Sequence, residues 1–224
     1  MPQQKSKKIL IYFFLFVIIG TFNNKNFNNL KFPKIDKIKV NGLDRKDTSN
    51  LELNLNYLKT DNLFFIDKVR INEIVNSNEL VEKFSVFKEY PSSLKIDIIK
   101  TEYLAYVKKD DKIFFLGSNG KLIKSDNVNK NLPYIFGKFK NDEFFNLRKD
   151  ILETKFQFNE IKNLFYFKSG RWDIETYSGL KIKLPKNDIQ QSLDQLVEII
   201  NKFDSEKINI VDFRQSNQII IDEQ

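Results

Sequence analysis

The stretch that decides the fold is residues 86–96, which read VFKEYPSSLKI. Apolar and polar side chains alternate on both sides of the proline, which predicts two strands, over residues 83–90 and 94–99. Pro91 presets the backbone torsion for a turn, and Ser92 and Ser93 complete the turn. We therefore expect a strand–turn–strand unit at this point of the chain.

Upstream of this hairpin the sequence predicts one more strand and two helices. Residues 35–40 alternate between apolar and charged side chains and end at an Asn-Gly pair, which is typical of a short strand. Leucines at helical spacing predict a helix over residues 47–60, with Asp47, Thr48 or Ser49 as its N-cap. A second helix has Asp67 as its expected N-cap. Its apolar stripe comprises Val69, Ile71, Ile74 and Val75. This order of elements predicts one compact α+β unit.

The remainder of the chain, from about residue 104, is richer in strand signals. Strands are predicted over residues 106–107, 113–116, 172–175, 180–184, 208–213 and 219–221. Asn119 and Gly120 form the pair that a type I′ hairpin turn demands, and Ser178 and Gly179 mark the centre of another hairpin. Helical patterns over residues 142–156 and 188–203 interrupt the strands, and the second has one apolar face that would cover a sheet.

The composition excludes several classes of site. The chain of 224 residues has no Cys and no His, so it cannot form a Cys/His zinc site, a thiol nucleophile or an imidazole general base. Its seven glycines stand apart and form neither a dinucleotide-binding nor a P-loop motif, so we expect no cofactor. The net charge of +7 comes from scattered lysines and only five arginines. Base readout relies on arginine, and we therefore expect no nucleic-acid partner.

Three short motifs resemble those of serine penicillin-binding enzymes. They are SSLK at residues 92–95, SDN at residues 125–127 and KSG at residues 168–170. The serine of the first motif would have to open a helix, so that the lysine lies one turn along on the same side. The alternation after Pro91 instead predicts a strand that points Ser92 and Lys95 to opposite faces. We therefore expect no enzyme of this type.

The amino terminus carries an export or anchoring signal. Three lysines within residues 1–8 precede an apolar run over residues 9–22, and the Asn-rich residues 23–33 follow as a tether. As a helix, the run would span about 21 Å of a hydrocarbon core of about 30 Å, which favours a cleaved signal peptide. The run lacks the small-residue cleavage pattern, which favours a retained anchor. The lysines place residues 1–8 in the cytoplasm in either case.

The order of these segments resembles the bacterial cell division family FtsQ, called DivIB in Gram-positive bacteria. Residues 37–43, KIKVNGL, are similar to the first strand of its POTRA domain. Residues 86–96 are similar to its aromatic-Pro-x-x-Leu-x-Ile segment, and residues 171–173 and 210–214 to landmarks of its β domain. The resemblance favours a retained anchor and implies an α+β chain in five parts. These are a cytoplasmic tail at 1–8, a transmembrane signal anchor at 9–22, a linker at 23–33, a POTRA domain at 34–103 and a strand-rich β domain with covering helices at 104–224.

The resemblance implies a scaffold without catalytic activity. Such a scaffold lies in the inner membrane at the division septum, has most of its chain in the periplasm, and joins FtsB-like and FtsL-like coiled-coil proteins to other divisome proteins. It also implies that the last strand has a free edge to which the FtsB-like partner adds a strand. The partner-binding residues implied by position are Ile199, Arg214, Gln215, Ser216, Ile219, Ile220 and Ile221. Gln215 stands where the family often has Tyr, which removes a favoured type of hot-spot residue.

Two other readings of the same features remain. Residues 219–221 would also suit an inner strand of a packed sheet, because three consecutive isoleucines put apolar side chains on both faces, and it is the resemblance that favours the edge strand. A POTRA unit would also suit a component of a protein export or outer-membrane assembly system. That role requires repeated POTRA units or a β-barrel, and the sequence indicates neither.

Overall fold

The computed structural model describes residues 3–22, 32–124, 131–202, 208–215 and 218–223. Its helices are α1 (Gln3–Phe22), α2 (Arg45–Asn54), α3 (Lys68–Ser77), α4 (Asn141–Leu152) and α5 (Ile189–Lys202). The strands of the first sheet are β1 (Lys37–Asn41), β2 (Val81–Glu89) and β3 (Ser93–Lys100). Those of the second sheet are β4 (Tyr103–Lys109), β5 (Lys112–Gly117), β6 (Leu122–Lys124), β7 (Tyr134–Phe136), β8 (Ile161–Tyr166), β9 (Trp172–Thr176), β10 (Lys181–Lys183), β11 (Ile208–Gln215) and β12 (Gln218–Glu223). The predicted mixture of helices and strands is confirmed.

The first sheet has the order β1-β3-β2 and is built around the predicted hairpin. β2 and β3 are antiparallel, with Val86 opposite Ile96, and both strands are longer than the sequence predicts. β1 runs parallel to β3, with Val40 opposite Ile96. Helices α2 and α3 contribute Leu51 and Ile71 to the buried core beneath this sheet. The predicted strand that carries Lys95 is β3, where Lys95 forms an ion pair with Asp97 at 2.6 Å.

The helix predicted over residues 47–60 is wrong in its start and in its second half. The N-cap of α2 is Asp44, three residues before the first of the predicted caps, and its carbonyl accepts a hydrogen bond from the Thr48 N–H at 2.9 Å. Its second half is a separate 3₁₀ helix, Asn56–Thr60, which buries Leu58. The Asp67 cap of α3 is confirmed, since its carboxylate accepts from the Arg70 N–H at 3.0 Å. Val69 of the predicted stripe is exposed.

The second sheet has nine strands in the order β12-β11-β10-β9-β8-β7-β4-β5-β6. β10 and β11 pair in parallel, which requires the crossover through α5. Helices α4 and α5 pack on one face of the sheet and bury Phe144, Leu147, Leu193 and Leu196. The predicted turn at Ser178 and Gly179 joins β9 to β10. The opposite face carries aromatic side chains such as Tyr134 and Phe165 and, closer to β12, the charged side chains of Lys183 and Asp212.

The type I′ turn predicted at Asn119 and Gly120 is not formed, and a two-residue turn of that geometry lies instead between β4 and β5. Asp110 and Asp111 both have positive φ, 49° and 56°, as a type I′ turn requires, and they join β4 to β5. Gly120 has φ of 74°, but Asn119 lies outside the left-handed region. The β5–β6 connection is longer, with Leu116 opposite Leu122. The β5–β6 loop instead forms hydrogen bonds with β2 of the first sheet and with residues just before it.

The β5–β6 loop joins the two sheets. The Asn119 amide donates hydrogen bonds to the carbonyls of Glu79 and Val81, each at 2.9 Å. The Ser118 hydroxyl donates to Glu82 at 2.7 Å, and the Lys121 ammonium donates to the carbonyl of Asn78, the C-cap of α3, at 3.1 Å. A loop from the second sheet thus satisfies main-chain acceptors at the end of α3 and the start of β2.

The predicted apolar run at the amino terminus forms part of α1. The side chains from Ile9 to Ile19 are exposed. Within the residues described, no helix reaches the combination of length and apolar character needed to cross a membrane. The anchor at residues 9–22 therefore stays a prediction.

Candidate functional site

Strand β12 forms one border of the nine-stranded sheet. It pairs antiparallel with β11, with Val211 opposite Ile221 and Asp212 opposite Ile220. Among the described residues β12 has no second strand beside it. The outward main-chain N–H and C=O groups of β12 are therefore open to a further strand.

The three isoleucines of β12 differ in exposure. Ile221 lies on the helix-covered face and packs against the core. Ile219 is 40% exposed and Ile220, on the opposite face, is 47% exposed. Apolar side chains are therefore open on both faces of the border strand. An added strand with apolar side chains would cover both of them.

Arg214 is held in place by its neighbour Asp212. The Arg214 Nε donates to both carboxylate oxygens of Asp212, at 2.8 and 2.9 Å, and the Arg214 Nη2 donates to Oδ2. The Arg214 main-chain N–H donates to Oδ1 at 3.0 Å. The hydrogen bonds from Arg214 lower the pKa of Asp212, while burial acts in the opposite direction. This pair fixes an exposed guanidinium beside the border strand.

A charged row extends from this pair across the open face of the sheet. Asp173 on β9 lies opposite Lys183 on β10, which lies opposite Asp212 on β11 and 4.0 Å from its carboxylate. Burial raises the pKa of Asp173, although Arg171 and Arg214 partly offset that effect. The Arg171 Nε forms an ion pair with the Asp173 Oδ1 at 3.5 Å, but both atoms are buried without a well-aligned hydrogen bond. The two carboxylates of the row therefore have pKa values that move in opposite directions.

The remaining residues implied as partner-binding lie in different surroundings. Gln215 is exposed at the end of β11 and lies opposite Gln218. Ile199 is half-buried on α5 and packs against the core, so only part of its side chain is accessible. Ser216 lies outside the described residues. Arg214, Gln215, Ile219, Ile220 and Ile221 are brought together on β11 and β12.

Sequence reasoning missed Asp173 and Lys183 as neighbours of this region. The register of the β9–β10 hairpin contained a usable signal, because counting outward from its turn places these two residues opposite each other. Their proximity to Asp212 had no local signal, since β10 and β11 pair in parallel across the α5 crossover.

Comparisons with known proteins find similarity to the cell division proteins FtsQ and DivIB. Residues 105–214 match the family described as "Cell division protein FtsQ/DivIB, C-terminal". The FtsQ cell division protein of Rickettsia bellii is 20% identical over 192 residues, which are 84% of this chain and 72% of that protein. The DivIB protein of Clostridium botulinum strain Loch Maree is 24% identical, and the alignment covers 92% of this chain and 86% of that protein.

Two further similarities cover smaller parts. The DivIB protein of Staphylococcus aureus strain NCTC 8325 is 29% identical over 94 residues, which are 42% of this chain and only 21% of that protein. A solved structure of the major extracytoplasmic domain of DivIB from Geobacillus stearothermophilus matches with a TM-score of 0.35 and 17% identity, covering 47% of this chain and 95% of that one.

Proposed function

We propose that this chain, whose residues 105–214 match the FtsQ/DivIB C-terminal family, is a divisome scaffold that binds an FtsB-like partner at β12. The partner adds a strand to the free border of the nine-stranded sheet, and main-chain hydrogen bonds supply affinity. The observation that carries this proposal is the position of β12, which has one strand beside it and open main-chain groups on its other side within the described residues. Like its relatives, the protein acts in cell division.

The proposed layout follows the segments of the chain. Residues 9–22 anchor the protein in the inner membrane with residues 1–8 in the cytoplasm, and residues 23–33 tether the rest in the periplasm. Residues 34–103 form the POTRA domain and residues 104–224 the β domain. In this arrangement the protein works at the septum, where it also gathers an FtsL-like protein and other divisome proteins.

Side chains around β12 set specificity in this proposal. The exposed Ile219 and Ile220 contact apolar side chains of the added strand, one on each face of the sheet. Arg214 offers a fixed cation to an acidic side chain of the partner. Gln215 lacks the aromatic ring of a favoured hot-spot residue, so these isoleucines carry more of the apolar contact.

Deletion of residues 215–224 tests the proposal. The deletion removes β12 and should abolish capture of the extracytoplasmic segment of the FtsB-like protein from the same genome. Ile220→Ser should weaken capture, whereas Ile99→Ser, at an isoleucine of β3 that is 61% exposed, should leave it unchanged. Circular dichroism of each variant checks that the chain remains folded. Undiminished capture by the deleted chain would refute the assignment of β12.

A further inference from the structure

A patch of exposed aromatic rings lies at one end of the three-stranded sheet. The ring centroids of Phe32 and Phe64 are 4.6 Å apart, and those of Phe64 and Tyr90 are 5.6 Å apart. Phe65 follows Phe64 in the same loop, and all four rings are between 45% and 74% exposed. We call these four residues the aromatic patch. Exposed apolar side chains that cluster in this way mark a surface that binds another protein or a membrane.

The loop before α3 fixes two of these rings at the surface. The side-chain oxygen of Asn62 accepts hydrogen bonds from the main-chain N–H groups of Phe64 and Phe65, at 3.0 and 3.3 Å. Leu63 in the same loop is buried in the core, so the loop buries one apolar side chain and exposes the next two. An antiparallel bridge between Lys34 and Asn62 brings the segment with the first ring of the patch beside this loop.

The aromatic patch lies at the end of the three-stranded sheet that is remote from the nine-stranded sheet. β2 begins at Val81, whose carbonyl accepts a hydrogen bond from Asn119 of the β5–β6 loop. β2 ends at Glu89, directly before Tyr90 of the patch. Nine residues of extended strand span about 30 Å. The length of β2 therefore separates the patch from the junction with the nine-stranded sheet.

The same end of the sheet receives the chain from the predicted anchor at residues 9–22. Phe32, a member of the patch, is the first residue that the structure describes after α1. Phe22 and Phe32 are ten positions apart, and a fully extended chain covers at most about 35 Å in ten residues. The patch therefore stays within about 35 Å of the point where the anchor leaves the bilayer.

The charges around the patch are balanced. Among the described residues, the charged side chains within three positions of a patch member are Lys34, Asp61, Asp67, Lys68, Lys88 and Glu89. Three are basic and three are acidic, so they provide no net attraction to an anionic ligand. The aromatic rings must then supply the binding free energy, and rings of this type partition into the layer between water and the lipid hydrocarbon.

We propose that the aromatic patch docks on the outer surface of the bilayer that holds residues 9–22, with its rings in the lipid interface. The inference rests on the anchor of the proposed function and adds a second contact between the same chain and the same membrane. In this arrangement β2 runs from the junction towards the bilayer, and the nine-stranded sheet lies on the side of the three-stranded sheet that faces away from the lipid.

The test uses the full chain reconstituted in phosphatidylcholine vesicles that contain a lipid with a nitroxide on its head group. The chain has no cysteine, so Lys34→Cys, two residues from Phe32, provides one site for a fluorescent label. We expect the nitroxide to quench this label and to leave a label at Lys162→Cys, in β8, unquenched. The double variant Phe64→Ser, Phe65→Ser should restore most of the fluorescence at residue 34, because each exposed ring contributes about 5-fold to the docking equilibrium.

Ile99→Ser is the matched control, since Ile99 is an exposed apolar residue of β3 at the other end of the same sheet. It should leave the quenching at residue 34 unchanged, and circular dichroism checks that each variant is folded. If the vesicles retain the chain but the parent label is not quenched, or the double Ser variant is quenched as strongly as the parent, the inference is overturned and the anchor stands. If alkaline carbonate removes the chain from the vesicles, the anchor fails and the inference fails with it. The assignment of β12 is tested separately by the deletion of residues 215–224.

Discussion

Single residues shape the border of the sheet through hydrogen bonds to charged groups. The buried carboxylate of Asp212 accepts four hydrogen bonds from Arg214, three from its guanidinium and one from its main-chain N–H. Without Asp212, the Arg214 side chain would lose its fixed direction and Lys183 would lose its nearest carboxylate on β11. Asp173 lies in a less favourable setting, since burial outweighs the effect of the nearby cations on its pKa.

These two carboxylates should affect the pH dependence of stability in opposite ways. Asp212 has a lowered folded pKa, so its stabilisation is complete above its ordinary pKa of about 4 and is lost as pH falls through the folded value. Asp173 has a raised folded pKa, so the native state loses stability as pH rises from about 4 through that value. At pH 7 we expect Asp212→Asn to lower the free energy of unfolding by about 1–3 kcal/mol.

Asp173→Asn at the same pH should leave that free energy equal or raise it, because burial disfavours the charged carboxylate more than the ion pair with Arg171 favours it. Urea unfolding of both variants between pH 3 and pH 7 measures the effect. Equal losses of stability in the two variants at pH 7 would contradict the opposed pKa shifts.

A glycine at the end of β1 is required by the neighbouring strand. Gly42 has φ of +99°, and a Cβ there would lie 1.9 Å from the carbonyl oxygen of Ile98. Gly179 has a similar φ of +93° with no atom within 4 Å of its Cβ position. Gly42→Ala should therefore cost about 2 kcal/mol more than Gly179→Ala, since only the first adds a clash to the backbone strain. Chemical denaturation measures both, and equal costs would show that the β1–β3 approach is looser than described.

At the scale of elements, local patterns predict hairpins and helices better than they predict pairings between distant segments. The β2–β3 hairpin and the Asp67 cap follow from adjacent residues, and both are confirmed. The sequence predicts a type I′ turn at Asn119 and Gly120, but the Asn119 side chain instead donates hydrogen bonds to the carbonyls of Glu79 and Val81. Tertiary hydrogen bonds therefore replaced a local turn preference. The parallel β10–β11 pairing, which forms the charged row, has no such local signal.

The β5–β6 loop should fix the two sheets relative to each other. The chain has no cysteine, so Lys59→Cys and Lys162→Cys introduce one spin label on each unit without further changes. Asn119→Ala removes two hydrogen bonds between the β5–β6 loop and the first sheet. We expect a broader distribution of distances between the two labels, measured by pulsed electron paramagnetic resonance. Asn54→Ala, at an exposed asparagine of α2, is the matched control. An unchanged narrow distribution in Asn119→Ala would mean that other contacts across the junction, such as the Ser118–Glu82 hydrogen bond and the packing of Leu80 against the cluster around Phe115, hold it without Asn119.

At the scale of the whole molecule, the architecture suits a protein that presents a surface. The junction loop links the three-stranded sheet to one end of the nine-stranded sheet, and β12 forms the other end. A partner bound at β12 would therefore lie at the opposite end of the nine-stranded sheet from the three-stranded sheet. The sequence alone predicts the α+β class and most of the elements, and its resemblance to FtsQ/DivIB implies the residues near β12. The approach of Asp212 to the β9–β10 hairpin is not predictable from the sequence, because only the tertiary fold brings β10 and β11 together.

The central claim is that β12 binds its partner through main-chain hydrogen bonds. Hydrogen–deuterium exchange of residues 218–223 in the full chain tests it most directly, measured with and without the extracytoplasmic segment of the FtsB-like protein. We predict that the outward-facing amides of β12 exchange more slowly in the complex, with little change in β1 and β2. A complex that forms while exchange at β12 stays the same would contradict the claim.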